Sequence, residues 1–352
     1  MKIHLLSGFL GSGKTTAIHY ACRMLLRQGI RTGVITNDQG IKLVDGDFFK
    51  SLNIPGRQVV NGCFCCNYND LETSIQSLIE TNGTGIIFAE SVGSCTDIVA
   101  TVLKPLLRFC PDAMVTVSTF TDVRLLQMIL DGGDTLFDET VNYIYLKQLE
   151  EAGIIVINKI DLVKEEQLVI IKQLMQEKYG NKILLYQNSL NENNIRQWLQ
   201  ALDNYQYAGE LPSLIIDYDT YAAGEGKLAW LDQEVEIYSA NNNALQQSGD
   251  LINSIYKKIK ECQYTIGHLK FLINKSVKIS FTSNLQPAAT IDTGPAASVE
   301  LLINIRVQAA PDIIKLLIAS AIKEIEMQSG CKIIVNSLSA FQPGYPHPTY
   351  RM

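Results

Sequence analysis

The 352-residue chain is short of basic runs, of histidine and of long apolar stretches. It carries 30 Lys and Arg against 36 Asp and Glu, a net charge of −6, with no block of like cations. Clustered cations are what grip a phosphate backbone or an anionic membrane surface, so neither nucleic acid nor membrane is expected as a partner. No apolar run approaches the ~18 residues that a membrane-spanning helix needs. The opening MKIHLLSGFLG is apolar, but it runs into a glycine-rich loop rather than a small-residue cleavage site, and the expected location is cytoplasmic. Only four histidines occur (His4, His19, His268 and His347), in no tract, which leaves a metal-storage role unsupported. In a reducing compartment the eight cysteines read as thiols or metal ligands rather than as a disulfide framework.

What is present is ordinary globular material, 47% hydrophobic and 19% charged, in a length that suits two domains. The first is expected over residues 1–204. KIHLLS (2–7) reads as a strand, and Gly8-Phe9-Leu10-Gly11-Ser12-Gly13-Lys14-Thr15 is a full G-x-x-x-x-G-K-T match. Gly8, Gly11, Ser12 and Gly13 let backbone N–H groups turn towards phosphates; Lys14 would reach the β/γ-phosphates and Thr15, followed by Thr16, would meet Mg²⁺. The helical TTAIHYACRMLLRQG then points its N-terminal dipole at the same place. Further strands are predicted at 31–38, ending in Asn37-Asp38, at 83–91, ending in Glu90 with Gly93 beyond, and at 115–122, 153–161 and 182–189. The strand at 153–161 closes on Asn158-Lys159-Ile160-Asp161. At a strand mouth, the Asp161 carboxylate can accept both N–H donors of guanine, whereas adenine would leave a buried polar group unpaired. GTP is therefore the expected nucleotide. Ser189 either closes over the base or turns the chain before a helix. Residues 143–153 read as a helix whose charges form a solvated face.

Cys63, Cys65 and Cys66 fall within four positions of VNGCFCC (60–66). Three thiolates can hold one tetrahedral Zn²⁺ and leave a fourth place open. No second Cys-x-x-Cys pair follows to close a structural site, so the spacing suits transfer or exchange. Soft thiolates favour Zn²⁺ or Cu(I) over Mg²⁺. A redox dithiol and partly buried structural cysteines stand as other readings. Cys95, just past the Glu90 turn, either approaches the same region or serves as small core filler, the commoner role of a lone cysteine.

GFLGSGKTT, VNGCFCC, the E-S-x-G of Glu90–Gly93 and NKID, in this order, resemble the CobW-like GTPases, relatives of the urease and hydrogenase nickel-insertion GTPases. The resemblance covers roughly residues 1–200. It implies a GTPase that couples hydrolysis to transfer of Zn²⁺ or a similar ion held at Cys63, Cys65 and Cys66. It also implies that Asn37-Asp38 and Glu90-Ser91-x-Gly93 surround Mg²⁺ and the γ-phosphate, with Lys14, Thr15, Asp38 and Glu90 as the catalytic set. Gly93, Asn158, Lys159, Asp161 and Ser189 would complete the nucleotide site. Asp38 departs from the family's Glu and is shorter by one methylene, about 1.5 Å. The family's Val-Asp is missing from 115–122, where Asp122 stands instead. The implied partners are GTP/GDP, a transition-metal ion, and a client metalloprotein or corrinoid-pathway protein, with a homodimer left open. A nucleotide-dependent regulatory switch with a redox- or zinc-sensing cluster and little hydrolysis is the other reading. A kinase is disfavoured, since it seldom needs a guanine reader.

Residues 205–352 are expected to form a smaller α+β domain. Strands at 227–239, 267–283, 298–309 and 331–341, with helices at 242–262 and 310–330, give the βαββαβ order of a ferredoxin-like fold. Trp230 reads as core. The Pro-rich tail FQPGYPHPTYRM should be extended, covering a sheet edge or docking on a partner.

Overall fold

Short apolar runs, most of them buried on both faces, build the first sheet of the computed structural model, which describes residues 1–40, 44–131, 137–205, 213–283, 286–291 and 294–352. Its strands are β1 (Lys2–Gly8), β2 (Thr32–Asn37), β3 (Gly56–Val59), β4 (Ile86–Glu90), β5 (Met114–Asp122), β6 (Ile154–Asn158) and β7 (Ile183–Gln187). They pair in parallel in the order β3-β2-β4-β1-β5-β6-β7. IIVIN of β6 is buried throughout, as a parallel strand covered on both faces must be. Because all seven run the same way, Gly8, Asn37, Glu90, Asp122 and Asn158 end their strands at one edge. Ligands of open α/β sheets bind outside that carboxyl edge. This is the expected phosphate-loop NTPase architecture. The added strand is β3, whose GRQV is too short and polar to carry a hydrophobic signal.

The second sheet comprises β8 (Leu228–Tyr238), β9 (Thr265–Ile273), β10 (Val277–Phe281), β11 (Ser298–Gln308) and β12 (Lys332–Phe341), antiparallel in the order β10-β9-β11-β8-β12. Helices Ala244–Glu261 and Pro311–Ser329 cover it, burying Leu251, Ile255, Ile318 and Ile325 with Leu231, Ile303 and Ile305 of the strands. The second helix has Pro near its start and left-handed Gly330 at its end. The four expected strands are five, because 267–283 is a hairpin rather than one extended run. Asn274 and Lys275 both take positive φ, and Ser276 N–H closes the turn on Ile273 O at 3.0 Å. Trp230 is fully buried, with the Arg306 guanidinium 4.1 Å above its ring and paired to Asp232.

The sequence reading cuts the chain once, between 204 and 205. The two compact units instead interleave: one comprises Met1–Gln39, Asn53–Gly224 and Tyr345–Met352, the other Gly40–Leu52 and Glu225–Gly344. In the second unit Asp45, on helix Val44–Ser51, pairs with Lys270 and Lys278, the latter at 2.6 Å. Helix Glu139–Glu151 carries more than a solvated face, since Val141, Ile144, Tyr145, Gln148 and Leu149 are buried. Among the described residues, no helix is long and apolar enough to cross a membrane.

Candidate functional site

The loop after β1 turns where a side chain would not fit. Gly8 has φ +124°, and a Cβ there would stand 2.1 Å from Phe120 O. Gly11 and Gly13 also take positive φ, and Gly13 precedes helix Lys14–Arg27, with Thr16 in its first turn. Lys14 is buried and its Nζ donates to Gly8 O at 2.6 Å, so the ammonium lies within the loop. Ser12 Oγ is buried with no hydrogen-bond partner among the described residues, an unused polar atom of the sort a bound anion satisfies. Thr15 Oγ1 donates to the Glu90 carboxylate, 2.9 Å from each oxygen. A hydroxyl and a carboxylate at the end of a phosphate loop suit an oxygen-seeking cation such as Mg²⁺.

On one side of the loop lies the N-K-x-D turn. Asn158 Nδ2 donates to Ser12 O at 2.8 Å, and its Oδ1 accepts from both Ser189 N–H (3.1 Å) and Ser189 Oγ (2.8 Å). Asn158 therefore ties the phosphate loop to Ser189, a tie the base-reader argument does not supply. Lys159, at φ +63°, reaches Gly11 O at 2.6 Å and Asp122 Oδ2 at 2.9 Å. Asp161 is exposed. Arg124, which sequence reasoning missed, closes on Asp122 at 2.6 Å. Burial alone would raise the Asp122 carboxyl, but the Arg124 guanidinium and Lys159 ammonium hold it below the usual carboxylate range.

On the other side, β2 and β4 pair with Thr36 opposite Glu90, which sets Asn37 and Asp38 just beyond the level of Glu90. Asp38 is half-buried, with its N–H on Val59 O at 3.2 Å. Asn37 turns towards the cysteines: its Nδ2 donates to Gly62 O (2.7 Å) and Val59 O (3.0 Å), and its Oδ1 accepts from Phe64 N–H (2.8 Å). Gly93 lies against the phosphate loop, where a Cβ would stand 2.9 Å from Leu10 N.

Cys63, Cys65 and Cys66 converge. Sγ of Cys63 is 2.7 Å from that of Cys65 and 3.2 Å from that of Cys66, and the remaining pair is 3.7 Å apart. All are free thiols; the first two are buried and Cys66 is half-buried. Among the described residues they form the one cluster of three or more candidate metal ligands whose ligand atoms all lie within 4.8 Å of one another. Hydrogen bonds from Cys65, Cys66 and Cys95 hold the Cys63 thiol well below its usual value, while Cys65 is raised and Cys66 is pushed up to about 12. Cys63 is thus the first of the three to become a thiolate. Cys95 is buried and in contact with the sulfurs of Cys63 and Cys65, although it stands outside the group of three whose ligand atoms all lie within 4.8 Å of one another.

The C-terminal tail is extended as expected, yet what it covers is the cysteine loop. Thr349 N–H donates to Cys65 O (2.8 Å) and Thr349 Oγ1 to Cys66 O (2.9 Å), while the His347 amide bonds the Cys66 sulfur. Tyr350 packs on Tyr68 and Phe109, each with ring centroids 5.2 Å away. Arg351 pairs with buried Asp97 at 2.7 Å, and Met352 N–H reaches Ala100 O at 3.0 Å.

Residues 2–184 match the family model described as CobW/HypB/UreG, nucleotide-binding domain. The chain is 25% identical over 210 residues to the zinc-regulated GTPase metalloprotein activator 1 of Dictyostelium discoideum, covering 50% of this chain and 43% of that one. It is 29% identical over 204 residues to the zinc chaperone CobW of Sinorhizobium sp, covering 51% and 56%. To the zinc chaperone YjiA of Escherichia coli K12 it is 33% identical over 98 residues, covering 27% and 30%. The chain thus spans about half the length, or less, of these curated relatives.

Proposed function

Because the chain belongs to the CobW/HypB/UreG family, we propose that it is a Mg²⁺-dependent GTPase that carries a transition metal at Cys63, Cys65 and Cys66 and couples nucleotide turnover to its delivery. The observation that carries this reading is Asn37. One residue before Asp38, at the edge where the nucleotide would sit, its side chain holds Gly62 and Phe64 on either side of Cys63. A displacement of Asn37-Asp38 on hydrolysis would be passed to the metal-binding loop through two short hydrogen bonds.

The phosphates lie on the Gly8–Thr15 loop, with Lys14 at the β/γ-phosphates, Ser12 Oγ available as a donor, and Thr15 and Glu90 holding Mg²⁺. Asp38 and Glu90 orient the attacking water. Asp161 reads guanine, and Asn158 and Ser189 fix the turn that carries it. Such catalysis is mostly positioning and electrostatics, so turnover without a partner is slow. The matched relatives are named for zinc, which makes Zn²⁺ the cargo and a zinc metalloprotein the client; a corrinoid-linked client rests on the family resemblance alone. Asp38, one methylene shorter than the family's Glu, favours a second reading: a switch that binds GTP and hydrolyses little.

Cys66→Ser separates cargo site from scaffold. Zn²⁺ affinity, measured by competition with a chromophoric chelator, falls, while GTP binding stays unchanged. If GTP binding collapses with it, the cysteines are structural and the cargo reading fails.

A further inference from the structure

We propose that Cys95 is the fourth metal ligand, turning the three-cysteine cluster into a closed four-thiolate site. The inference deepens the cargo reading and rests on it. Cys95 is 5% exposed, and its side chain meets the sulfurs of Cys63 and Cys65, which are themselves 3% and 4% exposed. It is held there by backbone: Cys95 N–H bonds Val92 O at 3.1 Å, and buried Gln148 donates to Cys95 O (2.7 Å) and Gly93 O (3.1 Å) from a single Nε2. The loop is pinned again two residues on, where Asp97 takes φ +62° under the Tyr218 hydroxyl (2.7 Å) and Arg351. The tail residues Thr349–Met352 bond both the Cys65–Cys66 backbone and this loop, so the two halves of the four-cysteine set are fastened together.

Four sulfurs meet the tetrahedral preference of Zn²⁺ without a water in the last place. Loading would release to solvent whatever protons the four sulfurs still carry and leave a site of net charge −2. At a Zn–S distance near 2.3 Å the sulfurs stand ~3.8 Å apart, so the 2.7 Å Cys63–Cys65 contact would open on loading. Cys95 is also two residues past Gly93 and five past Glu90. The fourth ligand would thus travel with the segment that faces the nucleotide, and its withdrawal would open a coordination position for a client.

The test is X-ray absorption at the zinc edge on the full-length protein loaded with one equivalent of Zn²⁺, for wild type, Cys95→Ser and, as a control, Cys22→Ser. Four sulfurs in wild type and in Cys22→Ser, falling to three plus one lighter atom in Cys95→Ser, is the expected result. Three sulfurs and one lighter atom in wild type overturns the assignment of Cys95 and leaves the cargo reading intact, whether or not the Cys95 variant folds. No sulfur at the metal, or fewer than three, overturns the cargo reading itself.

Discussion

Glu151 is buried at the end of helix Glu139–Glu151, where it accepts hydrogen bonds from Thr96 Oγ1 and Val99 N–H, each at 3.3 Å. Burial pushes its carboxyl up to about 8, with Asp97 adding to the rise against the pull of the Val99 amide. Its folded value lies above the unfolded one, about 4.3. Its contribution to stability is therefore complete below the unfolded value and is lost as pH rises through about 8, at about 1.4 kcal/mol per unit between the two. Relative to Glu151→Gln, the wild type should lose unfolding free energy as pH is raised across this window; parallel curves would contradict the placement. A second residue prediction concerns Asp161. Asp161→Asn should relax the preference for GTP over xanthosine triphosphate, measured by competition binding, and an unchanged preference would remove Asp161 as the base reader. Residues with a motif behind them, such as Lys14, Thr15 and Asn158, are legible in sequence because the chemistry fixes both type and spacing. Cys95 is legible only as a cysteine that the Glu90 turn could bring towards the cluster; Arg124 and Gln148 are not legible, since Gln148 acts through Gly93 and Cys95, far back in the chain, and Arg124 through an unremarkable two-residue step.

At the scale of elements, strands buried on both faces announce themselves, as β1, β2, β4, β5 and β6 do, and the half-buried β7 also falls where its apolar run lies. β3 and β10 do not: one is a short polar strand, and the other is separated from β9 only by a turn that depends on two left-handed residues, Asn274 and Lys275. The tail is legible as extended from its prolines, but its resting place depends on Tyr68, Phe109 and Asp97, which no local pattern ties to it. Removing Tyr345–Met352 takes away the cover of the cysteine loop. Alkylation of Cys66 by iodoacetamide, followed by mass spectrometry, should then be several-fold faster, and an unchanged rate would contradict the strap. Helix Val44–Ser51 makes a different prediction. Asp45 sits between Lys270 and Lys278, whose ammonium groups hold its carboxyl below the usual range despite burial. Asp45→Asn removes the buried carboxylate that both cations share and should cost about 3 kcal/mol of stability in chemical denaturation. A loss near zero would mean that the pair adds nothing.

For the molecule as a whole, the interleaving of the two units carries the consequence that a single cut in the sequence conceals. The chain leaves the first unit between Gln39 and Gly40, directly after Asn37-Asp38, and its last eight residues belong to the first unit again. Asn37 holds the cysteine loop, and Cys95 follows Gly93, so both segments expected to respond to the γ-phosphate touch the metal cluster. The central claim is therefore that the two sites share free energy. A ligand shifts an equilibrium only by its differential affinity for the two states, and the coupling is reciprocal. The most direct measurement is titration of Zn²⁺ into the full-length apo-protein against a chromophoric chelator, with Mg²⁺ and either a non-hydrolysable GTP analogue or GDP. Zinc affinity should differ between the two nucleotides, and Cys66→Ser should abolish the difference. The same affinity with both nucleotides would contradict coupled delivery and leave a nucleotide site and a metal site that merely lie close together.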